Sequence, residues 1–313
     1  MNNAISIACG TDKNYVQHAA VMLCSLFENN KDASFNVYIL TEAEENITKT
    51  FFDFVNSYGH KVSIILIDTD EIKKLPLRFN HTHAVYYRMF LPDLLPRELD
   101  KVIYFDTDIA INGNISELWE IDLGGNHLAA ITNPMRTKAE LRQLKEVIQV
   151  RDGEYFNSGV LVLNLNKLRD ERFSKKCFIW AKNNFNKIMY CDQDVMNAVV
   201  AGNWLSLPLK YNLGHAMIEP YLFLNTYWTK HEVLEARKAP VIIHYIGPCK
   251  AWHYKCRYKY KYINKYFEYI KKTPWRDFKY KDKNIFSFIE KHIINNLRGI
   301  IGKTLLMIDD LNY

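Results

Sequence analysis

Two aspartates, Asp106 and Asp108, follow the apolar run KVIYF (101–105) with Thr107 between them. A short continuous apolar run predicts a buried strand, so both acids arrive at its C-terminal edge. Open α/β sheets bind ligands at that edge. Two hard oxygen donors one residue apart can grip one divalent cation, and Mg²⁺ or Mn²⁺ suits them. A cation held there usually meets a phosphate. The bare pair also fits a solvated turn or a helix N-cap, so the other stretches must decide.

The string HYIGPCKAWHY (244–254) is the second such stretch. His244 leaves another apolar run, VII (241–243), and an imidazole there can complete a metal site begun by the two aspartates. Gly247 lets backbone approach a phosphate closely, and Lys250 adds a point charge. A core histidine beside a Gly-Pro turn is the plainer reading of His244 alone. A third stretch is GTDKNY (10–15), at the exit of the first apolar run. It can hold a nucleoside, with the Gly10 backbone at the base, Asp12 and Asn14 at hydroxyls or ring edges, and Tyr15 stacking; it also reads as a capped loop. The fourth is a pair, FNSGVLVLN (156–164) and YCDQDVMN (190–197). Acids in a first helical turn favour the helix dipole. Asn157 with Asp192, Gln193 and Asp194 also forms the amide and carboxylate cluster that a polyhydroxylated sugar needs.

The elements that must position these groups alternate. Strands are predicted at 5–10, 35–40, 62–68 and 101–106. Between them, helical spacing of Val16, Ala19, Ala20, Leu23 and Phe27 predicts a helix over 15–29. A second helix is predicted over 41–59, opened by a Thr41/Glu44 capping pattern and stopped at Gly59. Strand–helix–strand repetition implies parallel strands with right-handed crossovers, an α/β fold. Later strands are expected at 127–132, 159–165 and 240–247, and helices at 172–186 and 193–201.

The chain has 313 residues, 48% of them hydrophobic, enough for one large domain and an extension. No run of 18 apolar residues is present, and no signal peptide is visible at the start. Six cysteines without Cys-x-x-Cys spacing read as reduced thiols, which implies a cytosolic protein without disulfides or structural zinc. The net charge is +6. Residues 253–283 hold nine Lys and two Arg against Glu268, Asp277 and Asp282, a net of +8, so the remainder carries −2. A near-neutral body with a basic tail points to an anionic surface and not to nucleic acid. Ten aromatics interleave with those basic residues. An amphipathic face follows over 284–308, with Phe286, Ile289, Ile293, Leu297, Ile300 and Ile301 on one side. Aromatic, polybasic and amphipathic segments of this kind suit a membrane interface, at roughly 1 kcal/mol per Lys or Arg. The other reading is a C-terminal helix packed on the body, with Tyr rings covering core.

Together, DTD, FNSGV, DQD and HYIGPCKAWH, in this order and spacing, resemble glycosyltransferase family 8 over residues 10–254. The likeness is to its bacterial lipooligosaccharide and lipopolysaccharide galactosyl- and glucosyltransferases. The resemblance implies a GT-A catalytic domain over 1–252, with a Rossmann-like nucleotide-binding half and a mixed central sheet. Residues 253–313 form the basic, aromatic, helical extension. It implies a UDP-sugar donor, UDP-galactose or UDP-glucose, and retention of anomeric configuration. Asp106, Asp108 and His244 would ligate Mn²⁺, with Mg²⁺ the other candidate. Gly10, Thr11, Asp12, Asn14 and Tyr15 would hold uridine, Arg88 and Thr107 would contact the nucleotide-sugar, and Gly247 and Lys250 the diphosphate. Asn157, Asp192 and Gln193 would surround the transferred sugar as the catalytic group, and Tyr190 would face the acceptor.

Two positions depart from the family. Asn133 stands where relatives often carry an Asp contacting the donor sugar, and Ile246 occupies a variable acceptor-side position. Both leave the sugars open. Gln193 is a poor nucleophile, which favours front-face attack over double displacement. The expected enzyme is a cytoplasmic hexosyltransferase, peripheral on the inner face of the plasma membrane. Its acceptor would be a glycan or glycolipid of the cell surface. The alternatives are a UDP-sugar-binding protein without transfer activity and a glycogenin-like glucosyltransferase acting on protein.

Overall fold

A computed structural model of the chain describes residues 4–42, 44–78, 82–135, 137–214, 227–247, 250–254, 262–280 and 282–289. Its centre is a seven-stranded sheet in the order β3-β2-β1-β4-β7-β6-β8. The first four strands are β1 (Ile5–Thr11), β2 (Phe35–Thr41), β3 (Lys61–Leu66) and β4 (Lys101–Phe105). They run parallel, as the alternating pattern predicts. The apolar runs of β1, β2 and β4 are continuous because both faces are covered there. Ile7, Cys9, Val37, Ile39, Ile103 and Phe105 enter one core cluster. The intervening Ala8, Tyr38, Leu40, Val102 and Tyr104 enter the other. Strand order reverses between β1 and β4, which leaves a crevice beyond their C-terminal ends.

The far half of the sheet is mixed. β7 (Val160–Asn164) pairs antiparallel with β4, in the register Phe105↔Val160, and with β6 (Leu128–Ala130). Antiparallel pairing sets the start of β7 against the end of β4, and Asp106 N donates to the Gly159 carbonyl at 2.8 Å. β8 (Trp204–Ser206) runs parallel to β6 at the sheet edge. The late apolar run at 240–247 does not enter this sheet. Its core, β9 (Ile242–His244), pairs antiparallel with β5 (Ile109–Ile111) in a separate two-stranded sheet. The register Ile109↔His244 carries the histidine back to the aspartates.

Helix α1 (Val16–Asn29) is buried along nearly its whole length. Helix α2 (Glu45–Ser57) starts later than its sequence pattern suggests. Thr41 does not cap it; Thr41 extends β2, paired with Thr11 and Leu66. Gly59, with φ +79°, ends the helix as expected. Opposite α1, the helices Phe173–Asn183 and Cys191–Val200 cover the other face. Ala201 terminates the second of these with φ 50°, a left-handed conformation costly for a residue with a Cβ. Ala201→Gly is expected to stabilise the protein by about 0.5–1 kcal/mol, read as a higher urea midpoint.

The helix Ile263–Ile270 lies in the segment read from sequence as an extension. Its Ile263, Tyr266, Tyr269 and Ile270 join the core cluster that holds α1. The helix Ile285–Ile289 follows, and the rest of the amphipathic 284–308 stretch lies outside the described residues. Among the described residues, no helix is long and apolar enough to cross a membrane, and Cys9, Cys24, Cys177 and Cys191 are buried free thiols.

Candidate active site

Asp106 and Asp108 sit between β4 and β5, at the crevice where strand order reverses. One ligand atom from each of Asp106, Asp108 and His244 lies within 4.8 Å of the others. His244 Nε2 is 3.1 Å from Asp108 Oδ1 and 3.9 Å from Asp106 Oδ2. Its Nδ1 is 2.9 Å from Asn212 Oδ1, an acceptor, so Nδ1 carries a proton and Nε2 is the ring nitrogen turned to the carboxylates. Gly159 underlies this cluster. A Cβ there would lie 2.4 Å from His244 Cε1 and 2.7 Å from Asp106 Oδ2. Only a glycine leaves room for both side chains to converge. Two carboxylates and an oriented imidazole in that space fit a divalent cation such as Mn²⁺ or Mg²⁺.

Two cations flank the acids. Lys250 Nζ is 2.5 Å from Asp108 Oδ2. Burial alone would raise the Asp108 pKa, but the Lys250 ammonium and His244 outweigh it and hold the carboxyl well below its usual range. Arg88 is buried in the 3₁₀ segment His83–Phe90, with its guanidinium 2.7 Å from Asp106 Oδ1. Its other donors reach the Ser158 carbonyl and the Val85 carbonyl. Arg88 Nε also lies 3.1 Å from Asp192 Oδ2. That N–H points at Val85, however, so Asp192 Oδ2 receives no hydrogen bond among the described residues. Burial, opposed by Arg88 and helped by Asp106, pushes Asp192 up to about 6.

An amide chain links the metal-type cluster to the sugar-type one. Asn212 Nδ2 donates to Asn157 Oδ1 at 2.8 Å, and Asn157 Nδ2 donates to Asn133 Oδ1 at 3.2 Å and Gln193 Oε1 at 3.3 Å. Gln193 Oε1 also accepts from Ser158 N. Asp194 faces away from this chain. It is fully buried, and its carboxylate accepts from Gln143, Tyr155 and the backbone N–H groups of Met189 and Tyr190. The Tyr190 hydroxyl donates to Glu140 Oε1.

At the β1 exit, Asp12 Oδ1 accepts from Asn14 N at 2.7 Å and Tyr15 N at 3.2 Å, and Oδ2 accepts from Thr82. The Asp12 carboxylate therefore shapes its own loop. Gly10 packs under Ala84 and Tyr87, where a Cβ would meet the Ala84 carbonyl at 3.3 Å. Thr11, Thr107 and Ile246 are buried at the exits of β1, β4 and β9, and Gly247 has φ +85°.

The glycosyl transferase family 8 profile matches residues 6–256. The chain belongs to that family. A lipopolysaccharide 1,2-glucosyltransferase from Escherichia coli is 29% identical over 311 residues, covering 96% of this chain and 89% of its own. A lipopolysaccharide 1,3-galactosyltransferase from Salmonella typhimurium is 28% identical over 278 residues, covering 86% and 79%. A crystal structure of galactosyltransferase LgtC with donor and acceptor sugar analogues matches with a TM-score of 0.75 at 24% identity, over 86% of this chain and 96% of that one. The fold of this family 8 glycosyltransferase is GT-A.

Sequence reasoning missed four residues. Gly159 stood inside a quoted motif, but nothing local shows what its Cβ would strike. Ser158 stood in the same motif, but its contacts with Arg88 and Gln193 are long-range, and Asn212 belongs to no motif. Glu140 had a local signal, since Thr137 and Glu140 form a complete capping box, but its bond to Tyr190 spans 50 residues.

Proposed function

We propose that this glycosyltransferase moves a hexose, galactose or glucose, from a UDP-sugar to a lipopolysaccharide-type glycan with retention of configuration. The observation that carries the reading is the convergence of Asp106, Asp108 and His244 at a strand-order reversal, with Lys250 alongside. Its substrate class is supported by the two relatives, whose names specify lipopolysaccharide and a glucosyl or galactosyl group. Asp106, Asp108 and His244 would hold Mn²⁺ or Mg²⁺, which acts as a Lewis acid on the leaving diphosphate.

Lys250 adds charge to that diphosphate, and the positive φ of Gly247 lets the chain turn close to it. Gly10, Thr11, Asp12, Asn14 and Tyr15 form the uridine end, and Thr107 lies between it and the sugar. Arg88 orients Asp106 through its 2.7 Å contact. Asn133, Asn157, Asp192 and Gln193 line the sugar side, where the unsatisfied Asp192 Oδ2 suits a sugar hydroxyl. Tyr190 and Ile246 are assigned to the acceptor side.

Retention without a good nucleophile favours front-face attack. Gln193 is an amide. Asp194 is saturated with donors and enclosed. Asp192 lies against the Arg88 guanidinium, 3.1 Å from its Nε, and that positive charge weakens it as a nucleophile. The anomeric carbon then loses its bond to the phosphate oxygen and gains one to the acceptor oxygen on the same face. The acceptor proton passes to the departing phosphate.

Ile285 and Phe286 are exposed beside a lysine-rich stretch, which supports contact of the C-terminal region with an anionic membrane carrying the acceptor. On this reading the enzyme works at the cytoplasmic face of the membrane. The test is transfer of labelled hexose from UDP-galactose and UDP-glucose into a lipopolysaccharide core acceptor with Mn²⁺. Label in the glycolipid is expected; label in the protein alone would mark the glycogenin-like alternative.

Asn212 holds His244 in its ligating tautomer. Asn212→Ala is expected to weaken Mn²⁺ affinity by about 10–100-fold, read by electron paramagnetic resonance of free Mn²⁺.

A further inference from the structure

We propose that the helix Ile263–Ile270 is a working part of the donor site, and that Tyr266 positions the turn carrying His244, Gly247 and Lys250. The inference rests on the reading of that turn as the diphosphate-binding element.

The turn is tied to this helix at both ends. At its start, Tyr245, next to His244, donates its hydroxyl to the Tyr262 carbonyl at 3.1 Å. At its end, Trp252 stacks on His18 with 3.4 Å between ring centroids and 13° between planes. His18 is in turn held from the helix, its Nδ1 2.6 Å from the Tyr266 hydroxyl. His18 Nε2 lies 3.2 Å from Gln17 Nε2, so both ring nitrogens are engaged and the stacking plane is fixed. Trp252 cannot shift independently of Lys250. Lys250 N donates to His253 Nδ1, and His253 N donates back to the Lys250 carbonyl at 3.0 Å.

The same aromatic group borders the nucleotide side. Tyr15 stands edge-on to His18 at 5.3 Å and to Trp252 at 5.7 Å. At its other end the helix is anchored to α1. Asn29 Nδ2 donates to the Tyr269 hydroxyl at 2.7 Å, and Lys272 Nζ lies 2.5 Å from Glu28 Oε2. One end of the helix therefore reaches the turn through Tyr262 and Tyr266, and the other reaches α1 through Tyr269.

That asymmetry provides the test: calorimetric titration of UDP with Mn²⁺ into wild type, Tyr266→Phe, Tyr245→Phe and Tyr269→Phe. Tyr266→Phe removes the hydroxyl that holds the buried His18 ring under Trp252 and is expected to bind UDP about tenfold more weakly. Tyr245→Phe, acting at the other end of the turn, should weaken UDP several-fold. Tyr269→Phe should lower the melting temperature yet keep UDP affinity within about twofold. The proposal is overturned if Tyr266→Phe binds UDP like wild type, or if Tyr269→Phe loses affinity equally. Should Tyr266→Phe not fold, Tyr245→Phe decides alone by the same criterion. Wild type that fails to bind UDP would instead remove the donor reading beneath it.

Discussion

Asp108→Asn is expected to lower turnover of the UDP-hexose about a thousandfold while the near-ultraviolet circular dichroism stays that of wild type. Asparagine keeps the shape and removes the charge. Asp108 faces His244 Nε2 with one oxygen and Lys250 Nζ with the other, so it is the carboxylate most tightly embedded between the two basic groups. An amide donates no anionic ligand to a cation, and it leaves the Lys250 ammonium without its counter-charge. Near-normal Mn²⁺-dependent turnover in a folded variant would show that the carboxylate pair does not hold the metal.

Gly159→Ala should cost about a hundredfold in turnover although it removes no ligand at all. The added methyl would overlap His244 and the Asp106 carboxylate, at 2.4 and 2.7 Å, and both must move. Displacing reacting or ligating groups by about 1 Å is enough for a loss of this size. Gly159 does not have a positive φ, so its backbone accepts alanine and the global fold should survive. The expected signature is a melting temperature close to wild type with weakened Mn²⁺ binding and low turnover. Unchanged turnover would mean that the three side chains do not need their present convergence.

The nucleotide-binding half was legible because its signals are local. Continuous apolar runs gave β1 to β4, and the Asp pair stood at a strand end, where ligands collect in this class of sheet. His244 could be linked to the aspartates because it too leaves an apolar run. What brings them together was not legible. It depends on β5, three residues long, pairing antiparallel with β9 in a sheet of its own. Likewise, nothing in GVLVLNL indicates that it enters the sheet antiparallel between β4 and β6, yet that insertion is what brings Gly159 under Asp106 and His244. The misassigned cap at Thr41 has the same origin, since strand pairing to Thr11 and Leu66 overrode a capping pattern. The aromatic, basic composition after residue 252 was visible, but composition does not say which rings turn inward. Tyr266 and Tyr269 do so against α1.

The central claim is a metal-assisted UDP-sugar transferase built on Asp106, Asp108 and His244. Its most direct test is UDP release from a panel of nucleotide-sugars, with Mn²⁺ and with a chelator in its place. Release from UDP-galactose or UDP-glucose is expected to require Mn²⁺ and to be abolished by chelation. Release that is indifferent to chelation, or no release from any UDP-sugar despite UDP binding, would contradict it.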